Sequence, residues 1–234
     1  MNTKKIINTV ILLVLTVFFM GSCSKNTSVA PQVKKLSYQF KVQTPSAHLA
    51  LSGPVSAAGP SGTITWQSGY ANVASISFEG MDQQEHQNED VCSEPQVYKV
   101  DLFSLSQLIG NVDIAVGDYH HVDIKIELKK TPTDSALFLK GVYGSIPVEL
   151  SLDEGNDNTE VIAIAKDLAV GVKDTYVSVI NLHLDKLLTG VSASDLDSAT
   201  LTNGTLYINS NSNPAIYSKI LANLGNFSDG DYNN

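Results

Sequence analysis

Alternation of apolar and polar side chains constrains this chain more than any other feature. From Ser145 to Leu152, the residues Ile146, Val148, Leu150 and Leu152 alternate with Ser145, Pro147, Glu149 and Ser151. Successive side chains on a strand point to opposite faces, so this stretch spells a strand with one buried face. Pro147 has no N–H for a ladder and suggests a sheet edge. The stretch Tyr119 to Leu128 repeats the pattern. It sets Val122, Ile124, Ile126 and Leu128 on one face with His120, and Tyr119, His121, Asp123, Lys125 and Glu127 on the other. Further strands are expected at 36–42, 48–51, 63–67, 72–79, 96–102, 112–116, 136–142, 159–165 and 175–184. Short strands separated by Gly, Pro, Asn and Asp predict a mainly β fold, an antiparallel β-sandwich, rather than βαβ units. Asn203-Gly204, flanked by Thr202 and Thr205, marks a tight turn before Leu206-Tyr207-Ile208.

Helix is scarce. Asn213 can cap, Pro214 suits a first helical position, and Ile216, Tyr217, Ile220, Leu221 and Leu224 make one apolar face, which Gly225 would end. Leu102, Leu105, Leu108 and Ile109 suggest a shorter helical turn, as does 184–188. Residues 80–95 read as a long polar loop carrying Asp82, Glu85, Glu89, Asp90 and Glu94. A loop of this length is either functional or mobile.

At the N-terminus, Lys4 and Lys5 precede an apolar run, Ile6 to Met20, that is too short for a comfortable membrane span of ~20 residues. A basic start, a short apolar core and small residues form a secretory signal peptide. Met20-Gly21-Ser22-Cys23 resembles the lipobox of bacterial lipoproteins. That resemblance implies cleavage after residue 22, a diacylglycerol thioether on Cys23, and attachment of the chain to the lipid bilayer of the outer membrane. The alternatives are plain secretion and a single membrane helix. The expected organisation is a signal peptide over 1–22, an acylated Cys23 with a flexible polar tether over 23–34, and one sandwich domain over 35–234.

The 234 residues carry a formal net charge of -9, and all 15 basic residues are lysines. Arginine is the usual bidentate clamp for phosphate. An acidic chain without it lacks the cationic contacts on which nucleic acid affinity rests, so nucleic acid is excluded as a partner. With Cys23 acylated, Cys92 has no partner within the chain, and stability must come from the core.

No Gly-x-Ser-x-Gly elbow, His-Glu-x-x-His pair or phosphate-cradling loop occurs, so no enzyme is indicated and no cofactor is required. Two metal readings stand beside simpler ones. Asp153, Asn156, Asp157, Asn158 and Glu160 offer the oxygen ligands calcium prefers, in a spacing that an Asx-rich turn explains equally. His121 and Asp123 share a strand face and could meet His86 and Cys92 at a soft-metal site. Otherwise these are surface groups, with His120 buried and hydrogen-bonded.

The segment Val116-Gly117-Asp118-Tyr119-His120-His121-Val122-Asp123-Ile124 resembles the Gly-x-Tyr strand start of fimbrillin-like β-sandwich lipoproteins of Gram-negative bacteria. The stretch Ile180 to Leu188, together with the 213–224 helix, is similar to the C-terminal part of envelope lipoproteins of that architecture. The resemblance implies a transthyretin-like or immunoglobulin-like sandwich and an envelope location. It transfers no functional residues. Two functions follow as expectations: a non-enzymatic binding, adhesion or structural module with a protein or glycan partner, or a periplasmic binder of a metal ion or small ligand.

Overall fold

Alternation resolves into thirteen strands among the residues described by the structure, a computed structural model covering 32–50, 62–82, 87–104, 108–152, 159–164, 168–171 and 175–233. In chain order these are β1 (Val33–Val42), β2 (Ser46–His48), β3 (Thr63–Asp82), β4 (Gln87–Asp101), β5 (Leu108–Ala115), β6 (Gly117–Leu128) and β7 (Leu137–Tyr143). Then come β8 (Ile146–Leu152), β9 (Thr159–Ile164), β10 (Leu168–Val170), β11 (Thr175–Leu182), β12 (Leu206–Ile208) and β13 (Ser228–Asn233). Two short helices, α1 (Ala193–Asp197) and α2 (Pro214–Leu221), lie between β11 and β13. The strands hydrogen-bond in the order β12-β8-β7-β3-β6-β9-β13-β11-β1-β5, with β2 and β4 also on β3 and β10 on β6.

Strand β3 converts this ladder into two sheets. The sequence predicts two strands here, at 63–67 and 72–79; the chain instead runs on as one strand of 20 residues. Ile64 to Ala71 pairs with β7, and Val73 to Asp82 pairs with β6. The partner changes at Asn72, with a register shift on either side, between Trp66 and Ser68 and between Val73 and Ser75. Such bulges bend a strand and increase its twist. One sheet is therefore β12-β8-β7 with the first half of β3; the other runs from the second half of β3 through β6 to β5. The result is the expected mainly β, sandwich-like layout with a short C-terminal helix. Pairing is mostly antiparallel; β1–β11, β8–β12 and β9–β13 are parallel among the described residues.

The core follows the pleat. Ile76 and Phe78 of β3 stand opposite Ile126 and Ile124 of β6, and all four are buried. Leu36, Tyr38 and Phe40 line the inner face of β1. Each such side chain contributes ~1.5–3 kcal/mol by leaving water. Helix α2 buries Ile216, Tyr217 and Ile220, as expected. Asn213 does not cap it through its side chain. It sits in a left-handed conformation (φ 56°), and its amide donates to the Thr200 and Tyr207 carbonyls. The helix ends at Leu221, ahead of Gly225. Asn203 and Gly204 take φ of 51° and 80°, and Thr202 and Thr205 exchange both backbone hydrogen bonds, so the Asn-Gly turn forms as expected.

Several expectations need correction. Residues 80–95 are not a loop: Met81 pairs with Gln87 and Ser75 with Ser93, so β3 and β4 continue as a hairpin around 83–86, which lie outside the described residues. Polar sequence concealed it, because a ladder needs only backbone groups. Leu108 and Ile109 begin β5 instead of ending a helical turn. Strand β8 is not an edge over its length, since β12 covers Val148 to Leu150 and leaves Pro147 just outside that stretch. In β6, Tyr119 is buried and His120 exposed, the reverse of strict alternation. His121 takes φ 51°, and the register to β3 slips between Glu79 and Met81, so a bulge resets the faces.

Candidate functional site

The same device, a pair of bulges, sets a half-buried aromatic pair on the outer face of the sheet. Ahead of the first bulge in β3, Ile64 and Trp66 point inward; past the second, Ile76 and Phe78 do. Between the two the phase is inverted, so Ala71 and Val73 turn inward and Ser68 and Tyr70 turn out. In β7, Leu137, Leu139 and Tyr143 are buried, which leaves Phe138 and Lys140 on the outer face. Register places Tyr70 opposite Phe138 and Ser68 opposite Lys140. Glycine permits the close approach. A Cβ on Gly69 would lie 2.5 Å from Leu139, and one on Gly141 would lie 2.4 Å from the Thr65 carbonyl.

The outer face here is an aromatic shelf flanked by cations. The Tyr70 and Phe138 rings lie 5.3 Å apart between centroids, 29° from parallel. Lys99 Nζ of β4 sits 3.8 Å from the centre of the Tyr70 ring, and Lys140 Nζ lies 5.4 Å from that of Phe138. A cation over a ring is attracted by its quadrupole. Each lysine also has a carboxylate: Lys99 Nζ donates to Asp134 Oδ1 at 2.6 Å, and Lys140 Nζ lies 2.9 Å from Glu149 Oε1. Asp134 is itself fixed by its backbone N–H donating to Thr131 Oγ1 at 3.0 Å. Asp101 Oδ1 accepts from the Phe103 N–H at 2.9 Å. Ser68 and Gly69 floor an open cleft of 500 Å³ bounded by Tyr70, Phe138, Lys99, Lys140 and Asp101.

The charges set the titration of the shelf. The Lys99 hydrogen bond holds the Asp134 carboxyl below its usual range. Burial, then the Asp134 charge, pushes the Tyr70 phenol above its usual value. At neutral pH the Tyr70 phenol is therefore neutral and the Asp134 carboxyl ionised beside Lys99.

The residues singled out from sequence do not converge here. Cys23, His86, Asp153 and Asp157 lie outside the described residues. Cys92 lies in β4 opposite Ile76, and Glu160 in β9 opposite Glu127. His121 is exposed at its bulge, and Asp123 is half-buried opposite Glu79. Cys92 is thus two strand spacings across and roughly 10 Å along the strand from Asp123. Among the described residues, no three His, Cys, Asp or Glu side chains are arranged to hold a metal. His183 and Asp229 do meet, at 2.6 Å between Nε2 and Oδ2, with Asn181 donating to the other Asp229 oxygen at 2.9 Å and Gln43 donating to Asn181 at 2.6 Å. Burial works to raise the Asp229 carboxyl, and the bonds from Asn181 and His183 outweigh it, so it stays below the usual range. This clasp links β11 to the start of β13.

Sequence reasoning missed Tyr70 and Phe138. Phe138 had a legible sign, an aromatic between the inward Leu137 and Leu139. Tyr70 had none, since its orientation depends on the bulge. Comparison of the chain with protein-family models, with curated proteins and with solved structures gives no match.

Proposed function

We propose that this protein is a lipid-anchored bacterial envelope lipoprotein, tethered to the outer membrane through acylated Cys23. In this reading it is a non-enzymatic binding module that offers the β3–β7 shelf to its ligand. The shelf carries the proposal: two aromatic rings held on an outer sheet face, with polar groups of both charges around an open cleft. Small-molecule sites combine an apolar surface with a few placed polar groups, in volumes of ~300–1,000 Å³. A binding role without chemistry fits the pairing of Asp134 and Glu149 with lysines. The anchor is supported by Lys4, Lys5, the short apolar run and Gly21-Ser22-Cys23. The likeness to fimbrillin-like and transthyretin-like sandwiches belongs to the same proposal.

Palmitate labelling in a Gram-negative host tests the anchor. Wild-type chain is expected to take label and fractionate with outer membranes, and Cys23→Ser to lose both. Equal labelling of the two chains would overturn the reading.

A further inference from the structure

Resting on the reading of the shelf as the ligand-facing surface, we infer that it binds a neutral oligosaccharide, one pyranose ring packing its C–H face against Phe138, which Tyr70 backs, while its hydroxyls bond to Lys140, Lys99 and Asp101. Three observations carry this.

The rings come first. An aromatic face carries negative potential, which is why it attracts an ammonium group. The C–H hydrogens of a sugar, polarised by their C–O bonds, meet the same face in the same sense. Lys140 is 5.4 Å from the Phe138 centroid, against 3.8 Å for Lys99 over Tyr70, so Phe138 is the more loosely covered ring and the one a sugar can take.

The second is the mixture at the rim. An ammonium has three donors and no acceptor, and a carboxylate only accepts. Lys99 and Lys140 each spend donors on one carboxylate and retain others, while the carboxylates of Asp101, Asp134 and Glu149 set acceptors beside them. A hydroxyl both donates and accepts, so a polyol satisfies such a rim, whereas an apolar ligand would strand it.

The third is charge. Around the cleft, Lys99 and Lys140 face Asp101, Asp134 and Glu149, on a chain of net charge -9. The cations are already neutralised and the local balance is slightly negative. An anionic sugar gains nothing from entering, and a neutral one pays no electrostatic penalty.

The test is calorimetric titration of the full lipidated chain in lauryldimethylamine oxide, a detergent without a sugar headgroup. The probes are cellohexaose, xylohexaose, mannohexaose, maltohexaose, chitohexaose and hexagalacturonate. Saturable binding of at least one neutral hexasaccharide is expected, weakened about tenfold or more by Phe138→Ala. Because Phe138→Ala also removes packing, Ser68→Tyr provides a second arm. It fills the cleft floor from an exposed position and should abolish binding with the melting midpoint unchanged. Binding of hexagalacturonate alone, lost in Ser68→Tyr, would overturn the neutral class while keeping the shelf as a binding surface. Neutral binding indifferent to both Phe138→Ala and Ser68→Tyr, or no binding by any probe, would overturn the inference. Neither result touches the anchor, which palmitate labelling reads separately.

Discussion

Two stretches of neighbouring strands, one regular and one bracketed by bulges, obey different rules. In β6 from Val122 to Leu128, every second residue is buried without interruption, and Ile124, Ile126 and Leu128 oppose Phe78, Ile76 and Val73 of β3. In β3 from Trp66 to Ser75, the register shifts twice, and Ser68 and Tyr70 turn outward although Ile64, Trp66, Ile76 and Phe78 on either side are buried. The first stretch is held by volume, with Ile124 and Ile126 against Phe78 and Ile76. The second displays its aromatics and steadies them with lysines and carboxylates. Alternation thus reports which residues share a face, while the bulges decide which face is wet.

The sharpest way to break this comparison is to cut into the regular stretch. Ile124 is fully buried, and truncation to Ala should lower unfolding stability by about 2–5 kcal/mol through the cavity left behind. Its neighbour Lys125 points outward to Glu79 at 2.7 Å, both partly exposed, so Lys125→Ala should cost under about 1 kcal/mol. Urea titrations of the two variants check the contrast; a larger loss for Lys125→Ala would reverse the faces assigned to β6.

A smaller effect should come from the bulge itself. His121 holds a left-handed conformation that costs a side-chain-bearing residue roughly 1–2 kcal/mol relative to glycine. Offset by the greater freedom of glycine in the unfolded chain, His121→Gly should be neutral or raise stability by up to about 1 kcal/mol. A clear loss in the melting midpoint would show that the imidazole holds the bulge in place.

The smallest effect belongs to the shelf and is read by pH. The Asp134 carboxyl is depressed in the folded state, so its contribution is fully present above the usual carboxyl pKa of about 3.9 and disappears as pH falls through its lower folded value. Tyr70 ring resonances should therefore shift in that acid window, and not in Asp134→Asn, while Ile124 methyl resonances stay still. Simultaneous movement of both sets would mean that shelf and ladder are not separable.

The strands at 119–128, 136–142 and 145–152 were legible because burial on one face leaves a period of two in the sequence, and α2 because its apolar face and Pro214 obey helical spacing. Where backbone groups alone do the pairing, as between Gly80 and Asn88, side chains carry no trace of the strand. The fusion of two expected strands into β3 was equally hidden, since Ser68, Gly69 and Asn72 look like turn residues until a bulge gives them a place. The capping box at α1, in which Ser192 Oγ and the Asp195 backbone N–H lie 3.2 Å apart and Asp195 Oδ2 accepts from the Ser192 N–H at 2.8 Å, was written as Ser-x-x-Asp and overlooked in a short helix. The shelf was the least legible feature, because its existence depends on register.

The position of β13 bears on how the ladder is closed. Residues 228–233 form the last described strand, yet they lie between β9 and β11, inside the ladder. Every other described strand precedes it along the chain, and β9 and β11 are joined in the ladder only through this segment. Without it, the edges of β9 and β11 that face it would lack this partner, the kind of surface on which chains associate wrongly. The last described strand is therefore a closing piece: taking it away would open the interior of the ladder instead of trimming one end of it.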